Sequence, residues 1–258
     1  MPWQAAEEED HLVRAEGTEK VSANAHLIEQ ANRRSLGYWI LSGMFLEVPT
    51  AARVEELRRM LDGESAESGD VAELCRQLDA ARFNLNDAAV AFTRHLVIGD
   101  KKHNEPLPYE AHIREGQLPG ECTGQVREMM FEAGYGEIAA DASSPDHLGA
   151  ELRFMALLCR DENLAWAAES SAAVGRNLRL QHRFLSDHLA RWAPAYCEAL
   201  AERTTNGYLR AIARVTASSI NDDLAILEDI CSWLPPEELT PPISTETVLP
   251  AGAAQGYQ

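Results

Sequence analysis

The chain has 258 residues, of which 45% are hydrophobic and 25% charged, so it can fold around a core as one large helical domain or two small ones. Its formal net charge of −18 at pH 7 argues against nucleic-acid binding, because a phosphate backbone requires a basic face. No basic and apolar signal peptide opens the chain, and its longest uncharged run, residues 35–46, is too short to span a bilayer. These features predict a cytoplasmic protein without stable membrane insertion.

The five cysteines are odd in number, widely spread and without a CxxC pair: Cys75, Cys122, Cys159, Cys197 and Cys231. This pattern is poor for a disulfide framework and poor for a zinc site. We therefore expect them to be small apolar helix residues in a reducing compartment.

The elements in chain order begin with an acidic segment, residues 1–20, for which we predict a mobile tail. Apolar residues then recur at three- and four-residue steps over residues 23–46, which predicts a core helix containing Trp39 and Phe45. The same periodicity predicts further helices over residues 51–61, 71–80, 86–98, 121–134, 145–168, 171–188, 189–202 and 209–231. The last of these could also be two helices broken near Ser218.

Glycine and proline mark the connections. Residues 99–120 contain six of them, so we predict loop or extended chain there. Residues 134–144 form a second connection, which is a plausible hinge. The Pro-containing segment 235–258 has few large apolar residues, so we predict a disordered tail. The result is a single all-α globular domain, a helical bundle over residues 21–234.

Residues 143–155, Ser-Ser-Pro-Asp-His-Leu-Gly-Ala-Glu-Leu-Arg-Phe-Met, have the features of a helix start. Ser144 is a good N-cap residue, Pro145 suits the first helical position, and Asp146 places a carboxylate where the helix dipole favours one. His147 and Glu151 are four residues apart and therefore neighbours on one strip of the helix. Local physics alone favours a capped core helix with a satisfied histidine.

A second motif, Glu-Pro-Leu-Pro-Tyr-Glu, lies in the predicted loop over residues 105–110. Its prolines stiffen the backbone and keep it extended. Tyr109 offers an aromatic face and Glu110 a carboxylate to an incoming cation or peptide amide. A rigid connector whose tyrosine packs onto the helices is the simpler interpretation.

Motifs of common enzymes are missing from the sequence. It contains no GxxxxGK[ST] loop, GxGxxG turn, GxSxG elbow or HExxH pair. A di-iron bundle needs Glu-x-x-His on two core helices, and the chain offers only Glu8 with His11, in the acidic segment. His182 and His188 do not share a helical face, so surface or interhelix positions are expected for them.

Together, the Pro-x-Pro-Tyr-Glu loop and the Pro-Asp-His-Leu-Gly-x-Glu-Leu-x-Phe-Met helix start resemble the TorD/DmsD family of redox-enzyme maturation chaperones. Residues 184–196, with His188 and Trp192, resemble an aromatic segment of the same family. The similarity extends over about residues 23–233. The chain departs from the family pattern at residues 111–112 and at Ser144, which leaves the client open.

The resemblance implies a TorD-like all-α fold and a cytoplasmic chaperone without catalytic chemistry, metal or cofactor. Its expected partners are the catalytic subunit of a molybdenum-containing oxidoreductase and the twin-arginine signal peptide of that enzyme. The chaperone would aid cofactor insertion and delay export until maturation, as a monomer or a dimer with exchanged halves. The implied peptide site comprises Tyr109, Glu110, Asp146 and His147, and we expect Trp39 to add an apolar wall.

Two alternatives stay open at this point. The chain could serve a nitrate- or formate-type enzyme body and ignore any leader peptide. It could also be a metal- or nucleotide-dependent helical hydrolase, although the missing ligand and phosphate-binding motifs count against this. Carboxylates that pair bidentately with arginine suit the peptide-binding interpretation.

Overall fold

A computed structural model describes residues 2–61, 69–81, 84–99, 106–136 and 144–234, with side chains from Asn24 onward. Within these residues the regular elements are helices, as the sequence predicts. Ten α-helices are described: α1 (Pro2–Leu46), α2 (Ala51–Leu61), α3 (Asp70–Ala81), α4 (Leu85–Phe92), α5 (Glu110–Glu115), α6 (Glu121–Glu132), α7 (Leu148–Ala167), α8 (Ser171–Phe184), α9 (Ala190–Arg203) and α10 (Gly207–Trp233). Short π-helical turns follow α4 and α8, over Thr93–Ile98 and Leu185–Leu189.

The core forms where α1 lies along α7 and where α10 packs against α9 and α3. Its largest fully buried side chains include Phe45, Phe154, Phe184 and Trp192. Burying side chains of this size stabilises the fold by roughly 1.5–3 kcal/mol each before entropy is counted. The helix predicted over residues 23–46 is therefore a core helix, as expected.

Helix boundaries depart from the predictions in several places. α1 begins at Pro2, not near residue 23, while the mobility predicted for residues 1–20 stays a prediction. The predicted loop over residues 99–120 contains α5, and the final helix is continuous through Ser218. The predicted tail, residues 235–258, lies outside the described residues. Most of the predicted hinge, residues 137–143, lies outside them as well.

α1 and α7 approach each other closely at Gly149. A Cβ atom placed there would lie 2.5 Å from Cγ of Leu46 and 3.2 Å from the carbonyl oxygen of Ser42. The Ser42 hydroxyl donates to the Gly149 carbonyl oxygen at 2.7 Å. Glycine therefore lets the start of α7 lie directly on α1.

A buried ionic network joins α1, α7, α8 and α10. Arg34 donates from Nε to Asp223 at 2.6 Å, from Nη1 to Glu162 at 2.8 Å and from Nη2 to Gln181 at 2.7 Å. The Tyr38 hydroxyl also donates to Asp223, at 2.8 Å. Because the two buried carboxylates depend on one guanidinium, removing Arg34 would leave both without their main cationic partner.

None of the described helices combines the length and the apolar character that crossing a bilayer requires.

The five cysteines are free thiols. Cys122, Cys159 and Cys197 are buried, while Cys75 and Cys231 are partly buried. Burial raises the pKa of the Cys159 and Cys197 thiols, which suits small apolar residues of a core.

Candidate functional site

The loop motif and the helix-start motif meet at a single β-bridge. Tyr109 and His147 form this isolated antiparallel bridge between the chain entering α5 and the chain entering α7. Flanking backbone N–H groups donate across it at 2.9 Å, from Glu110 to the Asp146 carbonyl and from Leu148 to the Pro108 carbonyl. We call this arrangement, residues 108–111 with residues 144–148, the junction.

Asp146 caps α5 from across the junction. Its Oδ2 accepts the Ala111 N–H at 3.1 Å, and its Oδ1 accepts the Ser144 hydroxyl. The expectation that Ser144 caps the following helix, with Pro145 and Asp146 in its first turn, is therefore wrong. That helix begins only at Leu148, because residues 144–146 form a turn that pairs with the loop.

His147 is the N-cap of α7. Its Nδ1 accepts the Gly149 N–H at 3.0 Å, so the proton of the neutral ring lies on Nε2. Burial lowers the pKa of His147 to about 4, and the neighbouring Asp146 charge opposes this only in part. The imidazole also meets the Tyr109 ring edge-on, with centroids 4.9 Å apart. At neutral pH His147 is therefore an uncharged cap.

Glu110 connects the junction to the second half of the chain. Its side chain is fully buried and pairs with Arg114, one turn along α5. The Nδ1 of His188, from the π-helical turn after α8, lies 2.9 Å from its Oε2. Both carboxylate oxygens of Glu110 are thus engaged inside the protein.

Glu151 lies next to this group and is also fully buried. The Trp192 indole N–H donates to its Oε2 at 3.1 Å, while its Oε1 is buried without a hydrogen-bond partner in the described part of the chain. Burial raises the pKa of Glu151, and the negative charges of Glu110 and Asp146 raise it further. Glu151 therefore holds its proton to a higher pH than an exposed glutamate does.

Sequence reasoning did not place His188, Trp192 or Arg114 in the site. His188 and Trp192 lie in the segment over residues 184–196, whose resemblance to the family was the one sequence feature that pointed to them. Local sequence patterns could not predict the contact between this segment and Glu110, because His188 and Glu110 are 78 residues apart.

Trp39 lies at the protein surface, although the sequence predicts it as part of a core helix. The residue is 41% exposed rather than part of the core, and the Arg153 guanidinium lies 4.9 Å from the centre of its ring. The structure thus joins Tyr109, Glu110, Asp146 and His147 directly, while Trp39 stands over Arg153 on α7. Tyr109 is half-buried, so these two aromatic residues have surface to offer a ligand.

The carboxylates of the junction are engaged within the protein. Glu110 and Asp146 have no exposed surface, and their oxygens accept hydrogen bonds from within the protein. Among the described residues, no group of three or more His, Cys, Asp or Glu side chains could hold a metal ion. The buried polar groups fix the backbone of the junction and leave aromatic surface nearby.

Comparison with known proteins identifies the family. Residues 61–198, which include the junction and the segment over residues 184–196, match the family model described as nitrate reductase delta subunit. TorD chaperone proteins from two strains of Vibrio cholerae serotype O1 are 28% and 29% identical over 211 and 212 residues, covering 77% of this chain and 93% of theirs. A crystal structure from Archaeoglobus fulgidus, described as a redox enzyme maturation protein, superposes on this chain with a TM-score of 0.46 and 15% sequence identity. The superposition covers 75% of this chain and 93% of that one.

The family model and the TorD relatives confirm the resemblance predicted from the two motifs. The relatives are named as chaperones, which are not enzymes, so the prediction that the chain is not an enzyme is also confirmed. The chain therefore belongs to the nitrate reductase delta subunit family, the family of the TorD-like chaperones.

Proposed function

We propose that the chain is a client-specific cytoplasmic chaperone for the catalytic subunit of a molybdenum-containing oxidoreductase. It binds the twin-arginine signal peptide of this client, aids cofactor insertion and delays export until the enzyme is mature. The observation that carries the proposal is the family match, which runs without interruption across both motifs of the junction.

Within this proposal, Tyr109, Glu110, Asp146, His147 and Trp39 serve the peptide site in two ways. Tyr109 and Trp39 have exposed surface and contact the peptide, since aromatic faces stack well on guanidinium groups and apolar side chains. The other three are buried and hold the junction in shape. An arginine of the peptide could reach Glu110 only if Arg114 moved aside, because Arg114 already pairs with that carboxylate.

The net charge of −18 supports a basic peptide as the ligand. An acidic surface speeds the encounter with such a peptide, and the association rate falls as salt screens the charges.

Isothermal titration with a synthetic twin-arginine leader peptide of a molybdoenzyme tests the proposal. We expect Trp39→Ala and Tyr109→Ala to weaken binding by about tenfold each, which corresponds to about 1.4 kcal/mol. Phe131→Ala is a matched control, because Phe131 is an aromatic residue that is 75% exposed on α6. Wild-type affinity in both test variants would remove these residues from the site.

A second candidate client follows from the family description, which names nitrate reductase. The chaperone would then recognise the enzyme body and need no leader. Co-purification with a catalytic subunit that lacks its leader would favour this candidate, whereas loss of the complex on leader removal would favour the first.

A further inference from the structure

A polar cavity lies beside the junction, between α6 and the segment that runs from the end of α8 into α9. Its volume is about 580 Å³, within the range of about 300–1,000 Å³ that ligand clefts usually have. Arg114 and His188 line it, and both contact the buried carboxylate of Glu110. A ligand in this cavity can therefore reach Glu110 once Arg114 has withdrawn.

The ion pair between Arg114 and Glu110 is asymmetric. The Glu110 side chain has no exposed surface, whereas that of Arg114 is 30% exposed. Nη1 of Arg114 contacts Oε1 of Glu110 and also donates to the carbonyl oxygen of Asp187 at 3.2 Å. The guanidinium thus approaches the buried carboxylate from the solvent side. Because stripping a buried carboxylate of its cation is costly, Arg114 can leave only when another cation takes its place.

The charges of the cavity also point to an exchange of cations. With Arg114 in place, three arginines face three carboxylates, and the formal charge of the lining is zero with histidine neutral. Without Arg114, two arginines face these carboxylates and Glu110 behind them, which leaves a formal charge of −2. The cavity therefore attracts one guanidinium in place of Arg114, not in addition to it. The other charged residues of the lining are Glu128, Glu132, Arg183, Asp187 and Arg191.

Arg114 has a second carboxylate close at hand. Asp187 already accepts its guanidinium on the backbone oxygen, and the exposed side chain of Asp187 makes no hydrogen bond or ion pair within the described part of the chain. Arg114 can therefore turn from Glu110 towards Asp187 through its own side-chain rotamers. An exposed pair of this kind contributes little stability, so the displaced arginine is not held there firmly.

We propose that Arg114 is a built-in stand-in for one arginine of the leader peptide. In the free chaperone Arg114 occupies the place beside Glu110, and in the complex a client arginine takes this place. A guanidinium is favoured over a lysine ammonium because it is more weakly hydrated. The inference rests on the proposed function for the source of the arginine, and it adds that the site is occupied by the chaperone itself before the client arrives.

Isothermal titration of the twin-arginine leader peptide against Arg114→Ala tests the exchange. Removing the internal competitor should tighten binding by about tenfold, whereas the loss of a purely structural ion pair would leave the affinity unchanged or lower it. A leader with lysines in place of both arginines should gain less than about threefold from the same substitution.

Arg183→Ala is the matched control. Arg183 lines the same cavity but pairs with Glu132 instead of Glu110. The control removes the same charge from the same cavity, so it should change the affinity for the leader by no more than about threefold. Where circular dichroism shows Arg114→Ala to be unfolded, Arg114→Gln, which keeps a shorter and neutral donor, takes its place in the titration.

Methylguanidinium gives a second measurement that needs no leader peptide. It should stabilise Arg114→Ala against urea by filling the place beside Glu110, at concentrations where methylammonium does not. The wild-type chain, in which Arg114 fills this place, should show no such difference between the two ions. If Arg114→Ala is unfolded without additive, the folded fraction that each ion restores is measured instead.

Two outcomes separate this inference from the proposed function. If the leader binds Arg114→Ala no more tightly than Arg183→Ala, the exchange is refuted and the proposed function stands. If neither the wild type nor any variant binds the leader, the signal-peptide proposal is refuted, and the two ions decide whether Glu110 accepts a guanidinium from outside. A preference of Arg114→Ala for methylguanidinium supports such an exchange, and equal effects of the two ions overturn it.

Discussion

Replacing Gly149 with alanine should destabilise the protein, although alanine is the better helix former. The new Cβ would lie 2.5 Å from Cγ and 2.8 Å from Cδ2 of Leu46, and 3.2 Å from the backbone oxygen of Ser42. Relieving these contacts requires the start of α7 to move away from α1. Overpacking of this kind costs about 1–3 kcal/mol, against at most about 1 kcal/mol gained in helix propensity.

We therefore expect Gly149→Ala to lower the free energy of unfolding by about 1–2 kcal/mol. Gly124→Ala is the matched control, because Gly124 is exposed inside α6 and a Cβ there would meet nothing within 4 Å. This control should raise the free energy of unfolding by about 0.5–1 kcal/mol. Urea unfolding followed by circular dichroism measures both variants.

Leu46→Ala tests whether Leu46 is the side chain that obstructs a Cβ at position 149. In a double-mutant cycle, trimming Leu46 should recover at least about 0.5 kcal/mol of the cost of Gly149→Ala, because it removes the nearest obstructing side chain. If Gly149→Ala stabilises the protein as much as Gly124→Ala does, α1 and α7 do not approach each other as closely as described.

The remaining predictions concern the buried polar groups, and urea unfolding measures each of them. Asp146→Ala should cost about 2–3 kcal/mol, because the Ala111 N–H loses its acceptor, and Asp146→Asn should cost about half as much; equal costs would contradict the capping role. Arg34→Ala should cost about 3–5 kcal/mol, since it strands two buried carboxylates, and Arg34→Lys should recover part of this; a loss below about 1 kcal/mol would show that the network contributes little. The pKa of His147 is about 4 in the folded protein and 6.5 ordinarily, so the unfolded chain binds the proton first and stability falls as pH drops from 6.5 to 4, by up to about 3 kcal/mol. His147→Asn keeps a cap without this titration and should reduce the loss between pH 7 and pH 4.5, whereas parallel curves would exclude His147 as its source.

Local patterns in the sequence predicted the helical fold well. Apolar spacing located most helices, because a buried stripe at three- and four-residue steps depends only on neighbouring residues. Thr50, of a residue type that commonly caps helices, directly precedes α2, and its hydroxyl accepts the Arg53 N–H at 3.2 Å. The family motifs also placed four residues that the structure brings together at the junction.

Features that depend on distant residues could not be predicted. Asp146 carries every local sign of a helix start, yet it caps a helix that precedes it in the chain by 35 residues. Arg34 binds side chains from three other helices, and no short motif marks any of them. The π-helical turn over Leu185–Leu189, which separates α8 from α9, was not predicted either.

The position of the β-bridge determines how a dimer with exchanged halves would be assembled. Tyr109 precedes the predicted hinge at residues 134–144 and His147 follows it, so the bridge fastens together the two halves that an exchange between protomers would separate. A dimer of this kind would have to break the bridge within each chain and rebuild it between chains. Both junctions would then be composite, each made from the loop of one copy and the helix start of the other. Mixing an inactive Tyr109 variant with an inactive His147 variant would in that case restore one intact junction per dimer, as no mixture of monomers could.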